Sequence, residues 1–221
     1  FQYFMAGKLL SRHKMAKQLY DYFLVLDFEA TCVRSGKILP YQEIIEFPVA
    51  KVNSSSLEVE SIFHKYVRPT GQPELSAFCT ELTGIIQGMV DTADPLPSVL
   101  NSFDEWLETE GLREKSFVFV TCGDWDLKIQ LPQEARHKQI TLPEHFSSWI
   151  NVKKPVCELT GVFPKGMKSI LNSMEIELKG RHHSGIDDVK NIVSIVQHLA
   201  RKGIVLKKDD LSARQFGAKF Q

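Results

Sequence analysis

Three short apolar or alternating runs joined by turns come first in this chain, and amphipathic helices alternating with single strands follow. Phe23-Leu24-Val25-Leu26 is a run of four apolar residues between Tyr22 and Asp27, the pattern of a strand buried on both faces. Gln42 to Val52 alternates as a second strand, Asn53-Ser54-Ser55-Ser56 is a turn cluster, and Leu57 to Val67 returns as a third strand. Pro69, Gly71 and Pro73 break the sheet, and short helices are predicted over Ser76 to Leu82, ended by Gly84, and over Ile85 to Met89. Asp94-Pro95 opens a stronger helix with Val99, Leu100, Phe103, Trp106 and Leu107 on one face and Gly111 at its end. Ser116 to Cys122 reads as another buried strand, and after Gly123 the segment Asp124-Trp125-Asp126-Leu127 opens a helix expected to stop near Pro132. His145 to Val152 is expected to hold a helix and a short edge strand, and Met167 to Leu178 a helix with Ile170, Leu171 and Met174 inward. The last helix begins after Gly185, sets Val189, Ile192, Val193, Val196, Leu199 and Ala200 on one face, and closes at Gly203. The fold class is therefore α/β, a mixed sheet covered by helices on both faces in one domain.

Composition adds bounds rather than function. At 221 residues the chain suits one domain with a full core. Cys32, Cys79, Cys122 and Cys157 show no C-x-x-C spacing, which points to reduced, structural cysteines in an intracellular protein, cytoplasmic or nuclear. No apolar stretch approaches the roughly 20 residues of a membrane helix. The first twenty residues carry Lys8, Arg12, Lys14 and Lys17 and no acid before Asp21, so residues 1–19 read as a basic extension, with a solvated helix, a tag remnant or a targeting leader as its possible origins. Residues 20–206 are the expected domain and 207–221 a basic tail. The formal net charge is zero, but residues 1–150 hold 14 Lys and Arg against 20 Asp and Glu, whereas residues 151–221 hold 13 against 7. An acidic part that binds cations and a basic part that binds a polyanion fit that division.

Asp27 and Glu29 follow the first strand two residues apart, so they project to the same side. Two adjacent carboxylates repel until one takes a proton or a cation neutralises both, and hard oxygen donors select Mg2+ or Mn2+ over zinc. A second acidic pair, Asp124 and Asp126, stands where the strand ending at Cys122 passes into a helix, at the strand edge where ligand sites of open α/β sheets collect. Asp124 has an alternative use as a helix cap, and on spacing alone either acid qualifies. Asp188 sits one turn before the buried Ile192 on the last helix, where an unpaired carboxylate is costly but the helix N-terminus favours its charge. Asp187 is rotated toward solvent and suits a cap. His183, on the Gly-containing loop before that helix, is placed to act as a general base.

These segments resemble a known group. Asp27-Phe28-Glu29-Ala30-Thr31, Gly123-Asp124-Trp125-Asp126 and His183 with Asp188 five residues later look like the three motifs of the DEDDh superfamily of 3′→5′ exonucleases. Gln42-Glu43-Ile44-Ile45-Glu46-Phe47-Pro48, Phe78-Cys79-Thr80-Glu81-Leu82-Thr83-Gly84-Ile85, Trp149-Ile150-Asn151 and His183-Ser184-Gly185-Ile186-Asp187-Asp188 narrow the resemblance to the Eri-type (Snipper-like) exoribonucleases. It runs from about Tyr20 to Leu206.

The resemblance implies an RNase H-like five-stranded mixed sheet and hydrolysis at RNA 3′ ends releasing nucleoside 5′-monophosphates, with DNA 3′ ends as a second substrate class and a monomeric enzyme. It implies two Mg2+ or Mn2+ ions held by Asp27, Glu29, Asp126 and Asp188, with His183 deprotonating the attacking water. Asp27 would bridge both ions, Glu29 and Asp188 would serve the water-carrying one, and Asp126 would help hold the other. Phe28, Ala30 and Thr31 would hold the terminal nucleotide. Trp125, Phe78 and Leu82 are candidates for stacking or wedging against bases, with core packing as their alternative. Many relatives have proline where His182 stands, which makes His182 a competitor for the base role. The absence of a SAP-type module from these residues favours a simple terminal trimmer. Two other functions compete: a catalytically silent nucleic-acid-binding scaffold, and a DNA-preferring repair exonuclease.

Overall fold

A computed structural model describes residues 16–36, 38 and 40–208. Its strands are β1 (Tyr22–Leu26), β2 (Glu29–Ala30), β3 (Ile44–Asn53), β4 (Val59–Arg68), β5 (Asp94–Pro95), β6 (Phe117–Thr121) and β7 (Trp149–Asn151). The α-helices are α1 (Ala77–Thr83), α2 (Gln87–Asp91), α3 (Leu96–Thr109), α4 (Leu131–His137), α5 (Lys153–Thr160), α6 (Met167–Ser173) and α7 (Gly185–Arg201). They form one mixed sheet in the order β5-β4-β3-β1-β6-β7, with β2 paired to β3. β1 lies antiparallel to β3 and parallel to β6, so it is hydrogen-bonded on both sides. The five longer strands are those expected; β2 and β5 are two-residue additions that the apolar pattern does not mark.

Alternation along β1 sends its side chains into two separate cores. Phe23 and Val25 pack on the side that holds Val189, Ile192 and Val196 of α7, and Leu24 and Leu26 pack with Leu96, Val99 and Phe103 of α3. All four are fully buried, each stabilising the fold by about 1.5–3 kcal/mol relative to exposure. The same alternation continues past the end of the strand. Phe28 joins the α3 core, so Asp27 and Glu29 emerge on the face that α7 covers.

The structure differs from the sequence expectations at three helices. Pro132 does not stop a helix: it lies in the first turn of α4, where a missing N–H is harmless, and the segment before it, Trp125–Gln130, is π-helical. The helix expected to reach Leu178 ends at Ser173, where Glu175 takes a left-handed φ of 55°. α5 was not expected at all, because only Pro155 and Val156 of its residues are buried and they leave no helical repeat.

Gln18 ties the two ends of the described chain together. Its side-chain amide donates to Ile204 O at 3.0 Å and accepts from Leu206 N at 2.9 Å. Most of the basic extension (residues 1–15) and most of the tail (209–221) lie outside the described residues. Among the described residues no helix is long and apolar enough to cross a membrane.

Candidate active site

Four chain segments converge at the carboxyl ends of β1 and β6, on a cleft of about 330 Å3. Asp27, Phe28, Glu29 and Ala30 come from the end of β1 and from β2; Trp125 and Asp126 come from the π-helical turn; His182 and His183 come from the loop before α7, and Asp188 from its first turn. Carboxylate oxygens of Asp27, Glu29 and Asp188 lie within 4.8 Å of one another. Asp126, which is buried, accepts a hydrogen bond from the Phe28 amide at 2.9 Å. That bond fastens the second acidic segment to the first across 98 residues of chain.

The structure separates Asp124 from Asp126. Asp124 makes no cap bond to the following turn. Its carboxylate accepts from the Trp149 indole at 3.0 Å and the Asn151 amide at 3.1 Å, fastening β7 to the turn. Asp126 is the acid that faces the cleft. Asp187 likewise works locally, accepting from the Arg181 amide at 3.0 Å and from the Lys190 ammonium at 2.8 Å.

The electrostatics of the cleft are those of anions with too little water. Desolvation holds the Asp27 carboxyl well above the usual carboxylate range, and the charges of Asp126, Asp188, Glu29 and Glu46 add to it. Glu29 is pushed up to about 8, by desolvation first and then by Asp188, Glu46 and Asp126. Asp126 is pushed up to about 6 by desolvation, against the pull of the Phe28 amide. Asp188 is also raised by desolvation, although hydrogen bonds from His183 and His182 act the other way. Carboxylates in this state are a fit for divalent cations: oxygen donors only, close together, and each disfavoured as an anion until a cation arrives.

The two histidines meet Asp188 differently. His182 places its Nδ1 3.1 Å from Asp188 Oδ2. His183 donates its backbone N–H to the same oxygen at 2.9 Å, and its φ of 66° is left-handed. The rings stack with centroids 4.0 Å apart. Desolvation and the charge of His182 lower the pKa of His183, which keeps its ring neutral and able to accept a proton near pH 7.

Of the residues expected to hold a nucleotide, Phe28, Ala30, Leu82 and Trp125 line the cleft and Thr31 and Phe78 do not. Phe28 contributes backbone rather than ring, since its ring packs 4.6 Å from that of Phe47. Thr31 is buried, and its hydroxyl accepts from the Glu43 amide at 2.9 Å. Phe78 is half-buried on α1 beneath Arg34, 4.9 Å from the guanidinium. Trp125 is 37% exposed, open to a base on its face. Leu82 is half-buried rather than core.

Glu46 is the residue the sequence reading passed over. It lies within β3, 2% exposed, and its carboxylate accepts from the amides of Gly185 at 2.9 Å and Ile186 at 3.1 Å, with His64 at 2.8 Å on its other side. It anchors the N-terminus of α7, and thus Asp188, to the central sheet. A Cβ on Gly185 would stand 2.9 Å from Asp27 O and 3.0 Å from Glu46 Oε2, so only glycine lets the helix come this close. An acid inside the apolar run Ile44-Ile45-Glu46-Phe47 was the available signal, because a buried carboxylate demands partners. Glu46→Gln is expected to weaken both Mn2+ binding and turnover by about 10–100-fold, the usual effect of losing a partner behind a metal site. Titration calorimetry with Mn2+ measures the first without turnover; unchanged affinity would make Glu46 a fold residue only.

Acids gathered from three distant segments at one strand edge, beside a histidine loop, form the layout of metal-dependent phosphodiester hydrolases. The chain belongs to the exonuclease (RNase_T) family, whose sequence profile matches residues 24–196. ERI1 exoribonuclease 3 of Homo sapiens is 48% identical over 194 residues, covering 86% of this chain and 57% of that protein. ERI1 exoribonuclease 2 of Xenopus laevis is 40% identical over 214 residues, covering 90% of this chain and 31% of that protein. The chain thus spans a little over half the length of the first of these relatives and under a third of the second. Among solved structures, the nuclease domain of 3′hExo, a DEDDh family member bound to rAMP, superposes with a TM-score of 0.85 at 34% identity, over 88% of this chain and 99% of that one. The α/β exonuclease fold expected from the resemblance is the fold found, and membership in this family implies use of divalent metal ions.

Proposed function

We propose that the protein is a 3′→5′ exoribonuclease that removes nucleoside 5′-monophosphates from RNA 3′ ends, with DNA ends as poorer substrates. The observation that carries this reading is the set of carboxylate oxygens of Asp27, Glu29 and Asp188 within 4.8 Å, with Asp126 bonded to the Phe28 amide beside them. Asp27, Glu29, Asp126 and Asp188 would hold two Mg2+ or Mn2+ ions. When bound, these ions supply charge for the phosphoryl oxygens and lower the pKa of water, contributing several kcal/mol to the transition state. His183 accepts the proton of the attacking water; its lowered pKa leaves the ring neutral for that purpose. The water oxygen bonds to phosphorus, the P–O3′ bond breaks, and the leaving O3′ takes a proton from solvent, so that the shortened strand carries a 3′-hydroxyl. The Phe28–Ala30 backbone positions the terminal nucleotide, Leu82 and Trp125 flank its base, and the preference for RNA follows the exoribonuclease relatives. The domain acts as a monomer inside the cell.

End-labelled RNA and DNA of one sequence, incubated with Mn2+ and with chelator, test the reading. A ladder shortening from the 3′ end, faster on RNA and absent under chelator, is the expected result. Binding without shortening would make the protein a silent scaffold, and a faster DNA ladder would make it a repair-type exonuclease. His183→Ala is expected to lower the rate by about 10²–10⁴-fold, the range of general-base catalysis, with Mn2+ affinity retained. His182→Ala, which removes the ring that bonds Asp188, should lower the rate less; the reverse ranking in single-turnover assays assigns the base to His182.

A further inference from the structure

The cleft has room for the nucleotide being removed, and the strand behind that nucleotide must leave across the surface. A second groove of about 400 Å3 is lined among others by Asn151, Lys154, Phe163, Val205, Lys207 and Lys208. One end of it, at Asn151, lies at the carboxyl end of β7, the parallel neighbour of β6, on the edge of the sheet that holds the acids, and the other, at Val205, Lys207 and Lys208, follows the far end of α7. Asn151 touches both places: it lines the groove, and its amide holds Asp124, two residues from Asp126. Phe163 is 59% exposed and the adjacent Val162 68% exposed, on the loop between α5 and α6. An aromatic ring that open, among lysines, is the arrangement that stacks a base while neighbouring cations meet phosphates.

Lysines flank both the cleft and the groove. The ammonium groups of Lys153 and Lys168 act on Cys122 and His183, which line the cleft, and among the described lining residues of the groove Lys154, Lys207 and Lys208 stand against Glu158. The cleft is anionic and the groove cationic. The first suits metal ions, and the second suits a polyanion that those ions alone would not hold.

We propose that this groove binds the single-stranded polynucleotide lying 5′ of the nucleotide being removed, with one base on the Phe163 ring and phosphates against Lys154, Lys207 and Lys208. The proposal rests on the exonuclease reading, which fixes where the 3′ end lies. It makes the enzyme sensitive to substrate length: a dinucleotide reaches only the cleft, whereas a longer strand gains the groove.

The test uses the full chain, as parent, Phe163→Ala and the double variant Lys207→Glu/Lys208→Glu. Each is assayed with Mn2+ on a dinucleotide and on a single-stranded RNA on the order of 16 nucleotides long, the upper span of one such binding track. For the long RNA, Phe163→Ala is expected to raise KM by about 5–150-fold, the effect of losing one stacked base, with kcat unchanged. The charge reversal is expected to raise KM and to lower the slope of log KM against log salt by about 1.4, roughly 0.7 for each of two phosphate contacts. Dinucleotide hydrolysis should be the same for all three proteins. Equal effects on both substrates, or none on the long RNA, would overturn the proposal, as would sedimentation showing that Phe163→Ala turns a dimer into a monomer. Fluorescence anisotropy of a labelled long RNA in chelator separates the two readings. If the parent binds without ever shortening the RNA, and Phe163→Ala weakens that binding, the groove stands and the exonuclease reading falls.

Discussion

Asp27→Ala is expected to reduce nucleotide release by on the order of 10³-fold or more while leaving the chelated protein at least as stable as the parent. The two effects have one cause. Asp27 sits among Asp126, Asp188, Glu29 and Glu46, whose charges together with desolvation hold its carboxyl well above the ordinary range. Removing it relieves repulsion in the metal-free protein, and the same removal takes away the acid placed nearest to both Asp126 and the Glu29–Asp188 pair. Loss of several kcal/mol of metal-derived transition-state stabilisation converts to that rate factor. Thermal melts in chelator and single-turnover trimming of end-labelled RNA measure the two. Parental trimming by the variant would mean that the site is misassigned, and a collapse in melting temperature would mean that Asp27 holds the fold.

The second large effect is a metal stabilisation that grows with pH. Glu29 titrates at about 8 and Asp126 at about 6 in the folded, metal-free protein, and Asp27 and Asp188 are also raised. An unfolded chain has lost these protons by about pH 5. Between pH 5 and 8 the folded state therefore binds more protons than the unfolded one, so the carboxylates' contribution to stability is fully present below the unfolded values and falls as pH rises through the folded ones. Histidines with lowered pKa, His183, His145 and His198, act in the opposite sense below about 6.5, and Cys79, lowered to about 7 by its bond with Cys32, does so above 7. Comparison with the metal-loaded protein cancels the groups remote from the cleft. The gain in melting temperature from saturating Mg2+ or Mn2+ should widen from pH 5 to pH 8, because ions and protons compete for the same oxygens. At 100 times the dissociation constant, the gain amounts to about 2.7 kcal/mol. A gain that stays constant across that range would show that the carboxylates do not bind the ion.

Legibility followed the physics of each segment. The four apolar residues of β1 and the 3.6-residue face of α7 were readable because burial on both faces, or along one stripe, leaves a periodic mark. α5 left none, since its buried residues are too few to repeat. Pro132 misled because a proline ends a helix it follows and starts one it leads, and the sequence does not say which. Within the site, Asp27 with Glu29 was legible from strand alternation alone, and that alternation survives the break between β1 and β2. The choice of Asp126 over Asp124 was not, and neither was the expected role of Thr31 and Phe78 at a nucleotide, both of which the fold turns away from the cleft.

The sequence by itself determined the order of the five longer strands, the two-faced burial of β1, the buried face of α7, and which acids could belong to a metal centre. Those properties depend on neighbours within a few residues, where periodicity is a sufficient record. Only the tertiary structure decided that the Phe28 amide takes Asp126, that Trp149 and Asn151 take Asp124, and that Glu46 fastens α7 over the acids. It also gathered an acidic cleft and a basic groove from segments distant in sequence. Each of these joins groups remote in the chain, whose partners are chosen by the packing of the sheet rather than by anything adjacent to them.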